Sequence, residues 1–136
     1  MKQVLVDTNI LLRFLTGEPT VQAEKVRKLV ERCEQGELVI RILPMVVAEV
    51  VFVLSGKYYQ FERAELADAL IQFLETPSFG VEERDVLIRA LQLFAQHKID
   101  YADCYLAANA LASGDSLASF DQDFRKIAGL DLLELT

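Results

Sequence analysis

The 136-residue chain is 52% hydrophobic, enough for one domain over residues 1–136 with a substantial core and too little for two. Fourteen Lys and Arg against 21 Asp and Glu give a net charge of −7, so bulk charge does not attract nucleic acid, and any such substrate needs local help. A single His97 excludes a multi-histidine metal centre, and Cys33 and Cys104 form neither a C-x-x-C pair nor a metal-ligand spacing, which favours a reducing, intracellular compartment. The apolar stretch in "MKQVLVDTN" is too short for a signal peptide. The longest apolar run, Ile42 to Leu54, is too short to span a bilayer and contains Glu49, so a soluble, cytoplasmic protein without a membrane partner is expected.

Along the chain, "QVLVD" is apolar on both faces and predicts a buried parallel strand ending at Asp7. Thr8 or Asn9 then caps a short helix, "ILLRFL", that Gly17 and Pro19 stop. Thr20 is placed to cap an amphipathic helix through "VQAEKVRKLVERCEQ", with Val26, Leu29, Val30 and Cys33 on one face and Gly36 at its end. "ELVIRI" predicts a second strand, and Pro44 opens the helix that carries Glu49. Two helices with one buried face each follow, "ERAELADALIQFLE" and "EERDVLIRALQLFAQH", with "FGV" between them as a short strand. "DYADCYLAANALAS" is an Ala-rich helix ended by Gly114, after which "SLASF" predicts a strand ending at Asp121, "DQDFRKI" a short helix and "DLLEL" a last strand. Strands alternating with helices give an α/β fold whose central, mainly parallel β-sheet is flanked by α-helices.

The carboxylates carry the functional signal. Ligands of an open parallel sheet bind outside the carboxyl ends of its strands, where Asp7 and Asp121 fall; if those strands are near neighbours, the two side chains converge. Taken singly, each is explained as a helix cap. Glu49 is harder to explain that way, because Met45, Val46, Phe52 and Val53, its neighbours three and four positions away, are all apolar, which predicts a buried or cleft-lining carboxylate. Asp100 and Asp103, spaced i, i+3 at the start of the Ala-rich helix, share one face; capping accounts for one of them and less well for both. Like charges gathered in one crevice raise carboxylate pKa values unless a cation neutralises them, and a hard divalent ion with oxygen ligands is the economical solution. An acidic crevice of Asp7, Glu49, Asp103 and Asp121, with Asp100 and Asp123 close by, therefore predicts a Mg2+ or Mn2+ site. Such a site suits phosphodiester hydrolysis without a His or Cys nucleophile.

Taken together, the stretches "VLVDTNILLRFL", Glu49 within "PMVVAEVVFVL", "DYADCYLAANALA" and "LASFDQDFRKI" resemble PIN-domain ribonucleases, particularly the VapC-type toxins of type II toxin–antitoxin pairs, in family order over nearly the whole chain. The resemblance implies a PIN-like fold and a metal-dependent endoribonuclease that leaves a 3′-hydroxyl and a 5′-phosphate. It also implies a homodimer and inhibition by a cognate antitoxin. Residue by residue, it places Asp7, Glu49, Asp103 and Asp121 on the family's acidic quartet, with Asn9 and Ser119 as polar residues that orient ligands. Asp100 and Asp123 match less regular positions. The helical region "VLSGKYYQFERAELADALIQFLE", with Tyr58, Tyr59 and Phe61, is the expected antitoxin contact, although the same aromatics could simply complete the core. Arg13, Lys25, Arg27, Lys28 and Arg32 are candidates for positioning phosphates, although an exposed basic face is the commoner explanation.

Other readings weighed against this one are a non-toxin RNA-processing PIN nuclease, a non-catalytic PIN-like binding scaffold and a structure-specific DNA nuclease. The last would need extra elements to guide a duplex, for which the chain has little room. A receiver-type phosphorylation module would need an acidic pair directly after the first strand and a lysine ending a late strand. Here the strands end in Asp7-Thr8-Asn9 and in Asp121.

Overall fold

Three short strands, β1 (Lys2–Leu5), β2 (Leu38–Ile42) and β3 (Gly80–Val81), form a parallel sheet in the order β1-β2-β3 in a computed structural model that describes residues 1–136. Lys2 pairs with Leu38 and Leu5 with Arg41; Arg41 and Ile42 pair with Gly80 and Val81. β2 is central, and its alternating Leu38, Ile40 and Ile42 point into the core. Gly80 is required by close approach, since a Cβ there would lie 3.2 Å from Val39 Cγ1.

Six helices surround the sheet: α1 (Thr8–Thr16), α2 (Thr20–Glu34), α3 (Pro44–Ser55), α4 (Arg63–Leu74), α5 (Arg84–Gln96) and α6 (Tyr101–Ser113). Pro44 occupies the first turn of α3, where its missing N–H costs no hydrogen bond. Gly17 and Gly114 adopt left-handed conformations that close α1 and α6. Thirty-two buried residues form one hydrophobic cluster, to which α3 contributes Val47, Val50, Val51 and Leu54. Small buried Cys104, Ala107 and Ala108 let α6 pack closely on α5. No helix is long and apolar enough to cross a membrane.

The predicted helices and the first three strands are present, but three expectations need correction. "SLASF" and "DLLEL" do not extend the sheet: they meet only in a parallel bridge between Leu117 and Leu132, and Gln122–Lys126 is a 3-10 helix. The segment offers a sheet little apolar surface, because Leu117 alone is buried while Ala118 and Phe120 are exposed. β1 is therefore an edge strand rather than a buried one, with Lys2, Gln3 and Leu5 exposed, and it ends at Leu5. The caps also differ. Asp7, not Thr8 or Asn9, caps α1, and Pro19 rather than Thr20 stands at the start of α2 without a side-chain bond.

Two arginines hold the α4–α5 hairpin by a reciprocal device. Arg63, the first residue of α4, donates to the carbonyls of Phe94, His97 and Ile99 at 2.9, 2.6 and 2.5 Å, with its guanidinium 3.7 Å from the centroid of the Phe94 ring. Arg84, the first residue of α5, donates to the carbonyls of Leu74, Thr76 and Phe79 at 2.8, 3.2 and 2.8 Å. Each cation thus sits at the C-terminal end of the partner helix, where carbonyls lack intrahelical donors and the dipole favours positive charge. A lysine cannot reproduce this fork of bonds. Arg84→Ala is expected to lower the unfolding free energy in urea titration by about 2–3 kcal/mol, with Arg84→Lys recovering only part of it; a loss below ~0.5 kcal/mol would contradict the capping role.

Candidate functional site

Asp7 follows β1 by two residues, and its Oδ1 accepts the Ile10 N–H at 3.1 Å, capping α1 and leaving Oδ2 for another partner. The next residue, Thr8, donates from Oγ1 to Oε2 of Glu49, tying the first turn of α1 to the middle of α3. Glu49 is exposed, so of the buried or cleft-lining positions expected from its apolar neighbours the buried one is excluded. Met45 and Phe52 on the same side of α3 are themselves 80% and 78% exposed, so the apolar stripe marks an uncovered surface instead of a core face.

A second group of carboxylates surrounds the start of α6. Asp103 is half-buried, and its pKa is raised, first by burial and then by the charges of Asp121, Asp100 and Asp123. Asp100 stands at the N-cap position of α6 but makes no capping bond with its side chain, so capping accounts for neither member of the pair. Asp121 caps the 3-10 helix through Oδ1, which accepts the Asp123 N–H at 2.9 Å. Ser119 Oγ accepts the Asp121 N–H at 2.9 Å and so fixes the backbone that carries this carboxylate. Asp123 also pairs with Lys126 at 3.1 Å on the exposed side.

The structure therefore brings the charges of Asp121, Asp100 and Asp123 to bear on Asp103 and ties Glu49 to the residue after Asp7. It does not close the six into a compact cluster, and no three of the chain's acidic, His or Cys side chains stand close enough to hold a metal ion. The convergence of Asp7 and Asp121 required their strands to be sheet neighbours, which they are not. The donor chemistry nevertheless fits a hard divalent cation: every candidate ligand is oxygen, and the half-buried Asp103 faces three like charges. Cys104, buried one residue further on, has its thiol pushed up to about 11 by burial and supplies no thiolate nucleophile.

Asn9 lines a shallow hollow between α1 and α2 with Arg13, Gln22 and Lys25. Thr8, expected only as a cap, is the residue that bonds Glu49, and its hydroxyl directly after Asp7 was the available signal. Among the basic residues, Arg27 and Arg32 are engaged by Glu24 at 2.7 Å and Glu37 at 3.4 Å, and Arg13 donates to Gln22. Lys25 and Lys28 have no ion pair. Arg63 went unnoticed because its partners are main-chain carbonyls, which leave no side-chain motif. It lines a hollow of about 330 Å3 with Asp100, Tyr101 and Phe52, and burial lowers its pKa against smaller opposing effects of Cys104 and Asp100.

The folded-state pKa of Asp103 lies above its unfolded value, so the folded chain retains this proton to higher pH than the unfolded chain does. Stability from this residue accordingly falls as pH rises through the carboxylate range, and the penalty is complete above the raised pKa. Asp103→Asn is expected to raise the thermal midpoint at pH 7 in EDTA, with the gain shrinking as pH drops below the ordinary carboxylate range. A midpoint difference that stays constant from pH 3 to pH 7 would contradict the repulsion.

The PIN domain family model matches residues 4–130. A VapC ribonuclease of Aquifex aeolicus (strain VF5) is 27% identical over 124 residues, covering 90% of each chain. No solved structure matches the chain significantly. With a domain model spanning nearly the whole sequence and an α/β architecture that gathers carboxylates at the start of α6, the chain belongs to the PIN domain family.

Proposed function

We propose that the chain is a Mg2+- or Mn2+-dependent endoribonuclease and the toxin of a VapBC-type pair, acting in the cytoplasm. The observation that carries the reading is the half-buried Asp103 carboxylate at the start of α6, raised in pKa first by burial and then by the charges of Asp121, Asp100 and Asp123, with no basic side chain of the chain bonded to it. Its relative from Aquifex aeolicus is named a ribonuclease, which supplies the substrate class.

Asp7, Glu49, Asp103 and Asp121 would hold the cation, with Asp100 and Asp123 at the margin. A bound Mg2+ or Mn2+ supplies a water of lowered pKa, a clamp on the attacking and leaving oxygens, and an offset for developing charge. The chain's own residues set the frame. The caps made by Asp7 and Asp121 fix one oxygen of each carboxylate, Thr8 restrains Glu49, and Ser119 holds the Asp121 backbone. Hydrolysis in line places water on phosphorus and releases the 3′-oxygen of the upstream nucleotide.

Two surfaces support the proposed partners. A mainly apolar groove of about 220 Å3, lined by Leu15, Leu54, Phe61, Leu66, Ala69 and Leu70 with Glu65 as its one charged residue, suits the helix of a cognate antitoxin. The uncovered face of α3 at Met45 and Phe52, with the partly exposed Leu106 of α6, suits a second copy in a homodimer. One observation favours the alternative of a non-catalytic scaffold, namely that no three carboxylates enclose an ion. Cleavage decides between them.

With a mixed RNA pool, partner-free protein is expected to cut in Mg2+ or Mn2+ and not in EDTA. Asp7→Asn and Glu49→Gln are each expected to lose on the order of 10²-fold or more in rate. Full cleavage by Asp7→Asn would refute the assignment; no cleavage by folded wild-type protein in either metal would favour the scaffold.

A further inference from the structure

Next to Asp121 stands the most exposed large apolar side chain of the molecule: Phe120 is 90% exposed. It packs against no aromatic partner and is absent from the core cluster and its fringe. It borders a hollow of about 430 Å3 whose other near walls are Ser119, Asp121, Gln122 and Arg125, with residues 132–135 of the C-terminal tail opposite. That volume lies within the range of small-ligand sites, and the lining mixes the Phe120 ring and three leucines with an amide, one guanidinium and the carboxylates of Asp121 and Glu134.

Three observations restrict what such a hollow accepts. Phe120 lies between Ser119 and Asp121, and the Asp121 N–H bonded to Ser119 Oγ holds the backbone that carries the ring in the same turn as Asp121. Arg125 makes no ion pair, whereas its neighbour Lys126 is committed to Asp123. A free guanidinium in an otherwise acidic neighbourhood favours an anionic ligand, and Gln122 offers both a donor and an acceptor. An aromatic face, an amide and a free arginine together suit an unpaired nucleobase with its phosphate, since single strands are held by stacking on aromatic rings and by cations on the backbone. A duplex, whose bases are already stacked, has no face to offer.

We infer that Phe120, Gln122 and Arg125 form a docking site for one unpaired base of single-stranded RNA, stacked on the Phe120 ring next to the nucleotide at the acidic crevice. This site rests on the ribonuclease reading above and deepens it: it selects unpaired RNA and places the strand against Asp121. Phe120 acts in binding and makes no contact with the reacting phosphate.

The chain has no tryptophan, so Phe120→Trp gives a single reporter at the site. Because position 120 is exposed, the variant is expected to fold. Its fluorescence is titrated, in EDTA and again in Ca2+, with a mixed-sequence single-stranded oligoribonucleotide, the same sequence as a duplex, and an abasic strand of equal length. Saturable quenching by the single strand alone is expected. In parallel, Phe120→Ala is expected to raise KM for a cleaved RNA by about 10-fold or more, the loss falling on KM rather than kcat. Absence of quenching by an RNA that the wild-type chain cleaves overturns the docking site and leaves the nuclease reading standing. Equal quenching by duplex or abasic strand likewise overturns it. Quenching by single strands without cleavage of any RNA upholds the docking site and defeats the nuclease reading; neither quenching nor cleavage defeats both.

Discussion

Repulsion among carboxylates around a partly desolvated Asp103 is the constraint to which the rest of the site answers. Asp121, Asp100 and Asp123 all act on it, in the sense that makes ionisation harder, and only Asp123 has a basic partner. A protein selected for stability alone would dilute such a group or pair it with arginines. This chain instead builds it into the first turn of a packed helix, where Cys104, Ala107 and Ala108 are buried immediately beyond. The unfavourable charge is offset in part by the helix dipole, which favours anions at the N-terminus of α6. The remainder is what a divalent cation would relieve.

The fold delivers these charges through its connections more than through its sheet. Asp7 sits where the chain leaves β1, Glu49 lies on the helix that leaves β2, and Asp100 and Asp103 begin the helix that follows α5. The last placement depends on Arg63. Its bonds to the His97 and Ile99 carbonyls fix the short link between α5 and α6, so a residue of α4 sets the position of Asp100 and Asp103. Arg84 does the same for the link that leads out of α4. The α4–α5–α6 layer is thereby a rigid support for one half of the site, while α1 and α3, joined by Thr8 and Glu49, form the other.

Helices were legible in the sequence because their apolar spacing, capping acids and terminal glycines agreed with one another, as for "ERAELADALIQFLE" and Gly114. The acidic residues were legible for a different reason: charges in or beside apolar segments have few bland explanations. Burial was misjudged where the sequence is apolar but the surface uncovered. Met45, Glu49 and Phe52 illustrate this, since periodicity reports a stripe and not what covers it. "SLASF" was overread as a strand because β-compatible residues do not by themselves provide a neighbour to pair with. The Arg63 cap and the Thr8–Glu49 link lay beyond sequence reasoning, as they join residues 31 to 41 positions apart through backbone or hydroxyl groups.

The central claim is that the carboxylates around Asp103 exist to collect a divalent cation. Electron paramagnetic resonance titration of Mn2+ into the wild-type chain and Asp103→Asn, with RNA absent, tests it most directly. The account predicts saturable loss of the free Mn2+ signal with the wild-type chain and marked weakening in the variant. Indistinguishable titrations of the two proteins, or no bound Mn2+ in either, would contradict it.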